Sequence, residues 1–215
     1  MMKLPFLLVV GFIATWASAQ TKYTVEIGGK SVGTASLTQK LGADGSKSVE
    51  LKMDLQVNKQ KLTIRSQNTY DKLGNPTRKF MDSNIPGGAL QKQLITTFNE
   101  RGASVIQIDG GKRTTREIPL VSTAPRVNPS EFWFVRDRPK AGDEVKCYMF
   151  NMDNLSWQLQ RVVYRGQKSI KVGDKSVKAH EVETIGDRTA KVYVDDAGIP
   201  WLMEAGSATL KRLGS

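Results

Sequence analysis

Cysteine and histidine are almost absent from this 215-residue chain, with one of each, Cys147 and His180. A single cysteine excludes an intramolecular disulfide, so burial and strand pairing must hold the fold. A single histidine excludes a metal site built on two or more imidazoles, which argues against zinc hydrolysis, and no cofactor or metal is expected. Long apolar runs are also missing after the first, Leu4 to Ile13. That run is about half of the roughly 18 residues a membrane-crossing helix needs.

What the N-terminus does have is Lys3, then this run, then Ala17-Ser18-Ala19, the small-x-small triplet read by a signal peptidase. Residues 1–19 are therefore expected to be a cleaved signal peptide, with a mature chain from Gln20 that is periplasmic or secreted. No cysteine follows the cleavage point, so no lipid anchor is expected there. Residues 20–215 suffice for one β-rich domain with a continuous core.

Acidic residues are too few to balance the basic ones: 32 Lys and Arg face 21 Asp and Glu, a formal charge of +11 that falls by one when Lys3 leaves. So basic an exported chain suits anionic envelope surfaces, and the same charge also serves solubility. Nucleic acid is not expected as a partner, because export separates the chain from it. The protein is expected to be monomeric and not to span the membrane.

Apolar helical periodicity is missing too, and a period of two takes its place. Val49, Leu51, Met53, Leu55 and Val57 alternate with Glu50, Lys52, Asp54 and Gln56. Tyr23 to Ile27, Val32 to Gln39 and Leu62 to Tyr70 extend the pattern around it. Further short strands are predicted at Thr77–Asp82, Leu90–Phe98, Ser104–Ile108, Lys112–Ile118, Val145–Asn151, Ser156–Arg165, Ser176–Thr184, Ala190–Val194 and Trp201–Glu204. Turn residues punctuate them at Gly42–Gly45, Asp109-Gly110-Gly111, Gly173-Asp174 and Asp195–Gly198. The fold class is thus all-β with one short helix: a curved antiparallel sheet, half-barrel or open barrel, of about a dozen strands.

The helix is expected over 128–136. Asn128 can cap it, Pro129 suits its first position and Glu131 stands where a capping box places its acid, ahead of Phe132, Trp133, Phe134 and Val135. So short an apolar helix needs a surface to dock on, and the concave face of the sheet offers one. A repeated spacing also stands out: Asp71-Lys72-Leu73-Gly74-Asn75-Pro76 and Asp195-Asp196-Ala197-Gly198-Ile199-Pro200 share Asp-x-x-Gly-x-Pro. It marks either duplicated half-sheets or independent use of one good turn.

Taken in order, Lys30-Ser31-Val32-Gly33, the run Phe132 to Asp143, Tyr164-Arg165-Gly166-Gln167, Ala179-His180-Glu181-Val182 and Val192 to Pro200 resemble an exported bacterial family of unknown function. That family is related in fold to the LolA/LolB-like lipoprotein-carrier half-barrels of the envelope. The resemblance covers most of the mature chain and implies a curved antiparallel sheet wrapped around a short helix. It brings no catalytic residue, and the carriers it points to offer an apolar concavity to acyl chains.

Candidate chemistry is sparse. A Cys147–His180 nucleophile pair would need an orienting acid, and Glu181 points to the opposite strand face from His180. Cys147 and His180 read as packing residues, and Asp195-Asp196 as turn caps. Gly28-Gly29-Lys30-Ser31 lacks the spacing of a phosphate loop and sits between strands. Aromatic clustering in the C-terminal half leaves Phe132, Trp133, Phe134 and Trp157 as candidate pocket residues for an apolar or amphiphilic ligand, with Arg136 at the rim for an anionic head group. The expected function is a non-enzymatic envelope protein that binds such a ligand or another envelope component. A structural or assembly partner, and a cell-envelope hydrolase with an unrecognised site, are the alternatives.

Overall fold

The computed structural model describes residues 19–85, 91–121, 134, 137–186 and 189–214. Its fourteen strands are β1 (Ala19–Ile27), β2 (Lys30–Leu41), β3 (Lys47–Val57), β4 (Gln60–Tyr70), β5 (Pro76–Asn84), β6 (Gln91–Asn99) and β7 (Gly102–Asp109). The remainder are β8 (Lys112–Pro119), β9 (Glu144–Asn151), β10 (Ser156–Val172), β11 (Lys175–Ile185), β12 (Ala190–Val194), β13 (Pro200–Ala205) and β14 (Ala208–Arg212). All belong to one curved antiparallel sheet in the order β8-β7-β6-β5-β4-β3-β2-β1-β14-β13-β12-β11-β10-β9. Two meanders, β1–β8 and β9–β14, are thus joined by the pairing of the first strand with the last, Val25 opposite Leu210.

The period-two reading located thirteen of these strands and missed β14, whose five residues offer only Ala208 and Leu210 as inward positions. It also stopped β10 at Arg165, where Arg165 is the extra residue of a bulge and the strand runs on to Val172. Local chemistry sets the turns: Gly28-Gly29 and Gly110-Gly111 have positive φ, and Asn58-Lys59 reach the same region without glycine. Gly33 has a different reason, since a Cβ there would lie 2.1 Å from the backbone oxygen of Asp54 on the next strand.

The two Asp-x-x-Gly-x-Pro turns are built alike. In each, the aspartate carboxylate accepts two backbone N–H groups, from Leu73 and Asn75 for Asp71 and from Ala197 and Ile199 for Asp195. A register shift in the preceding strand accompanies both. Asp71 is held below the usual carboxylate range: burial pushes its pKa up, and the hydrogen bonds from Asn75, Leu73 and Gly74 outweigh that.

The main core lies on the inner face. Tyr23, Val25, Leu37, Leu51, Met53, Val162, Val182, Val192, Val194, Met203 and Leu210 pack there from both meanders. A second cluster closes the curl by a different route. Val145 and Val162 of β9 and β10 are opposite one another and belong to the main core, whereas Phe150 and Trp157, also opposite one another, have the other phase and point outward. These outward rings pack against Leu94, Phe98, Ala103 and Val105 on the inner face of β6 and β7. One end of the sheet therefore wraps over the back of the other, a spiral closed by side chains and not by strand pairing. Phe98 touches Phe150 and Trp157 with centroids 5.7 Å away in each case, and Thr96 Oγ1 donates to Met152 Sδ at 3.2 Å.

Candidate functional site

Phe134, helical and buried, enters the main core from the connection between β8 and β9. Its ring packs 4.8 Å from His180 and 5.5 Å from Tyr164, centroid to centroid. The docking expected for residue 134 on the inner face is thus realised. Phe132, Trp133 and Arg136, and the rest of the helix expected over 128–136 before Phe134, lie outside the described residues. Trp157 is on the far side of β9–β10 in the second cluster, away from Phe134, with its Nε1 buried and without a hydrogen-bond partner among the described residues.

Beneath Phe134 three side chains form a chain of hydrogen bonds. Tyr164 Oη is 2.7 Å from His180 Nδ1, and His180 Nε2 is 2.8 Å from Asp196 Oδ1. The partners dictate the tautomer of the neutral ring: a carboxylate only accepts, so Nε2–H donates to Asp196 and Nδ1 accepts from the Tyr164 hydroxyl. Burial, reinforced by the Asp196 charge, raises the pKa of the Tyr164 phenol. Asp196 was expected to cap its turn. That role belongs to Asp195 alone, and Asp196 is instead the acid beside the only histidine.

Both ring nitrogens of His180 are therefore committed to groups other than Cys147. Cys147 is fully buried in β9 opposite Gln160, as its packing role requires. Glu181 does face away from His180, where it pairs with Lys168. Among the described residues, no group of three or more His, Cys, Asp or Glu could hold a metal ion.

A second feature lies on the same inner face, across β2 to β6. The register places Gln39, Val49, Asn68, Lys79 and Thr96 in one row, with Ser66 of β4 in the row to one side and Lys47 and Tyr70 in the row to the other. Lys47, Ser66, Asn68 and Lys79 are each at least nine-tenths buried. Among the described residues, Ser66 Oγ and Asn68 Oδ1 have no hydrogen-bond partner, an uncommon condition for buried polar atoms. Leu37, Leu51 and Met53 of the main core adjoin this patch through the register, so apolar and polar side chains stand side by side on the inner face. Sequence reasoning passed over Lys47 and Lys79, although each occupies the apolar phase of its strand.

No protein-family model matches the chain, and no curated protein does. Among solved structures, it is similar to a beta-barrel-like protein of the domain of unknown function DUF1849 from Brucella abortus. The TM-score is 0.59 at 12% identity, over 90% of this chain and 94% of that one. A second, weaker likeness is to a DUF1089 family protein from Pseudomonas aeruginosa, with a TM-score of 0.42 and 13% identity, covering 96% of this chain and 100% of that one. The first likeness agrees with the all-β, barrel-like fold.

Proposed function

We propose that this is an exported, non-enzymatic protein of the bacterial envelope whose inner sheet face binds an amphiphile with an acidic head group. The observation that carries this reading is the amphiphilic inner face. The apolar main core, which would have to part to admit an acyl chain, adjoins a patch with two ammonium groups, Lys47 and Lys79, beside Ser66 Oγ and Asn68 Oδ1, unpartnered among the described residues. An acidic head group would accept a hydrogen bond from the buried Ser66 hydroxyl and lie beside the two ammonium groups. The N-terminal signature supports the envelope address. Both ring nitrogens of His180 are bonded to Tyr164 and Asp196, which speaks against a Cys147–His180 nucleophile pair.

Titration with a fluorescent fatty-acid probe tests the reading. Saturable binding by the wild type, weakened about tenfold or more by Lys79→Met in a protein that stays folded, is the expected result for loss of a charge-assisted contact. Equal affinity for a fatty acid and the matching fatty alcohol would refute the head-group assignment.

A further inference from the structure

β10 and β11 run on as a ribbon beyond both of their neighbours. Pairing of β10 with β9 ends at Val163 opposite Glu144, and pairing of β11 with β12 ends at His180 opposite Val194. Among the described residues, 168–179 have only each other as strand partners. The apolar side chains of this arm share one phase, Ile170, Val172, Val177 and Ala179, and each is half-buried or buried.

The other phase is polar and open. Ser169 stands opposite Lys178 and Lys171 opposite Ser176, so two lysines and two serines alternate on a small patch. The serine hydroxyls bond to one another at 2.9 Å across the diagonal, which leaves the longer lysines standing above them. Lys175 is exposed at the tip, and Lys171, Lys175 and Lys178 have no ion pair among the described residues. The arm's one carboxylate, Asp174, is in the turn.

We infer that this arm is a docking surface for a bilayer rich in anionic phospholipid, a property separate from the amphiphile site on the inner face. The chemistry favours a plane of phosphates. Lysines are flexible point charges that adjust to headgroups, and the open phase carries no aromatic ring on which a nucleic-acid base could stack. Attraction of this kind is long-ranged only at low ionic strength, and a phosphate surface is its natural counterpart.

Vesicle flotation of the purified protein tests the inference, with vesicles containing phosphatidylglycerol compared with pure phosphatidylcholine. The protein should float with the anionic vesicles only, and high salt should release it. Replacing Lys171, Lys175 and Lys178 together by glutamine should weaken partitioning about a hundredfold, since each lysine near such a surface contributes about fivefold. The matched triple Lys40→Gln, Lys61→Gln and Lys112→Gln, exposed lysines outside the arm, should change it less than about threefold by the same reckoning. All six positions are exposed, so both triples should keep the wild-type circular dichroism and fatty-acid probe affinity. No flotation of the wild type, undiminished flotation of the arm triple, or equal loss in both triples would overturn the inference. So would displacement of the protein from vesicles by a short DNA duplex that binds the arm more tightly than phosphatidylglycerol.

Discussion

The two apolar clusters of this protein are built on opposite principles. In the main core, inward side chains belong to strands whose backbones are hydrogen-bonded to one another, so the β1–β14 pairing ties the packing together. In the second cluster, β6–β7 meet the back of β9–β10 through side chains, among them Leu94, Phe98, Val105, Phe150, Trp157 and Met152. The first must open with the whole molecule. The second is able to part while the rest of the sheet stays intact, which makes the overlap the place where the spiral loosens.

Substitutions should separate the two. Leu210→Ala, at a fully buried position on the strand that joins the meanders, should cost about 4 kcal/mol and lower the single unfolding midpoint in denaturant. Phe150→Ala should cost about 3 kcal/mol, and hydrogen exchange should accelerate in β6–β8 while β1 and β14 keep their protection. Uniform acceleration in all strands would erase the distinction between the clusters. Cys147→Ser places a hydroxyl in an apolar site of the strand shared by both layers, and should cost about 1 to 2 kcal/mol without loss of probe binding.

Smaller effects sharpen the picture on the two faces of the sheet. Tyr164→Phe removes one hydrogen bond to His180 and should cost about 1 kcal/mol by thermal or chemical unfolding. Tyr193 has its pKa raised from 10 to about 12 by burial and by Glu181, Glu204 and Glu183. Because the folded value exceeds the unfolded one, this tyrosine stabilises the protein fully below pH 10 and ceases to do so as pH climbs towards 12. Denaturant midpoints should therefore fall over that window, and Tyr193→Phe should make the fall shallower.

Much of the sheet could be read from period two, because an inward valine or leucine at every second position is a local fact. β14 escaped for want of length. The overlap escaped for another reason: Phe150 and Val162 are apolar for two different partners, and alternation cannot say what covers the second face. His180 and Asp196 are sixteen residues apart, and only the pairing of β11 with β12 brings the acid to the ring. Lys47 and Lys79 were legible in principle. A lysine in phase with Val49 or Met81 breaks the rule that the inner row is apolar, and that breach is the kind of local inconsistency a functional site produces.

The amphiphilic inner face makes the central claim testable in one measurement, mass spectrometry of a denaturing extract of the protein purified from its exporting host. Wild-type protein should yield an acidic amphiphile near one-to-one stoichiometry, and folded Lys79→Met should be depleted of it. An extract free of amphiphile, or one retained unchanged by that variant, would contradict it.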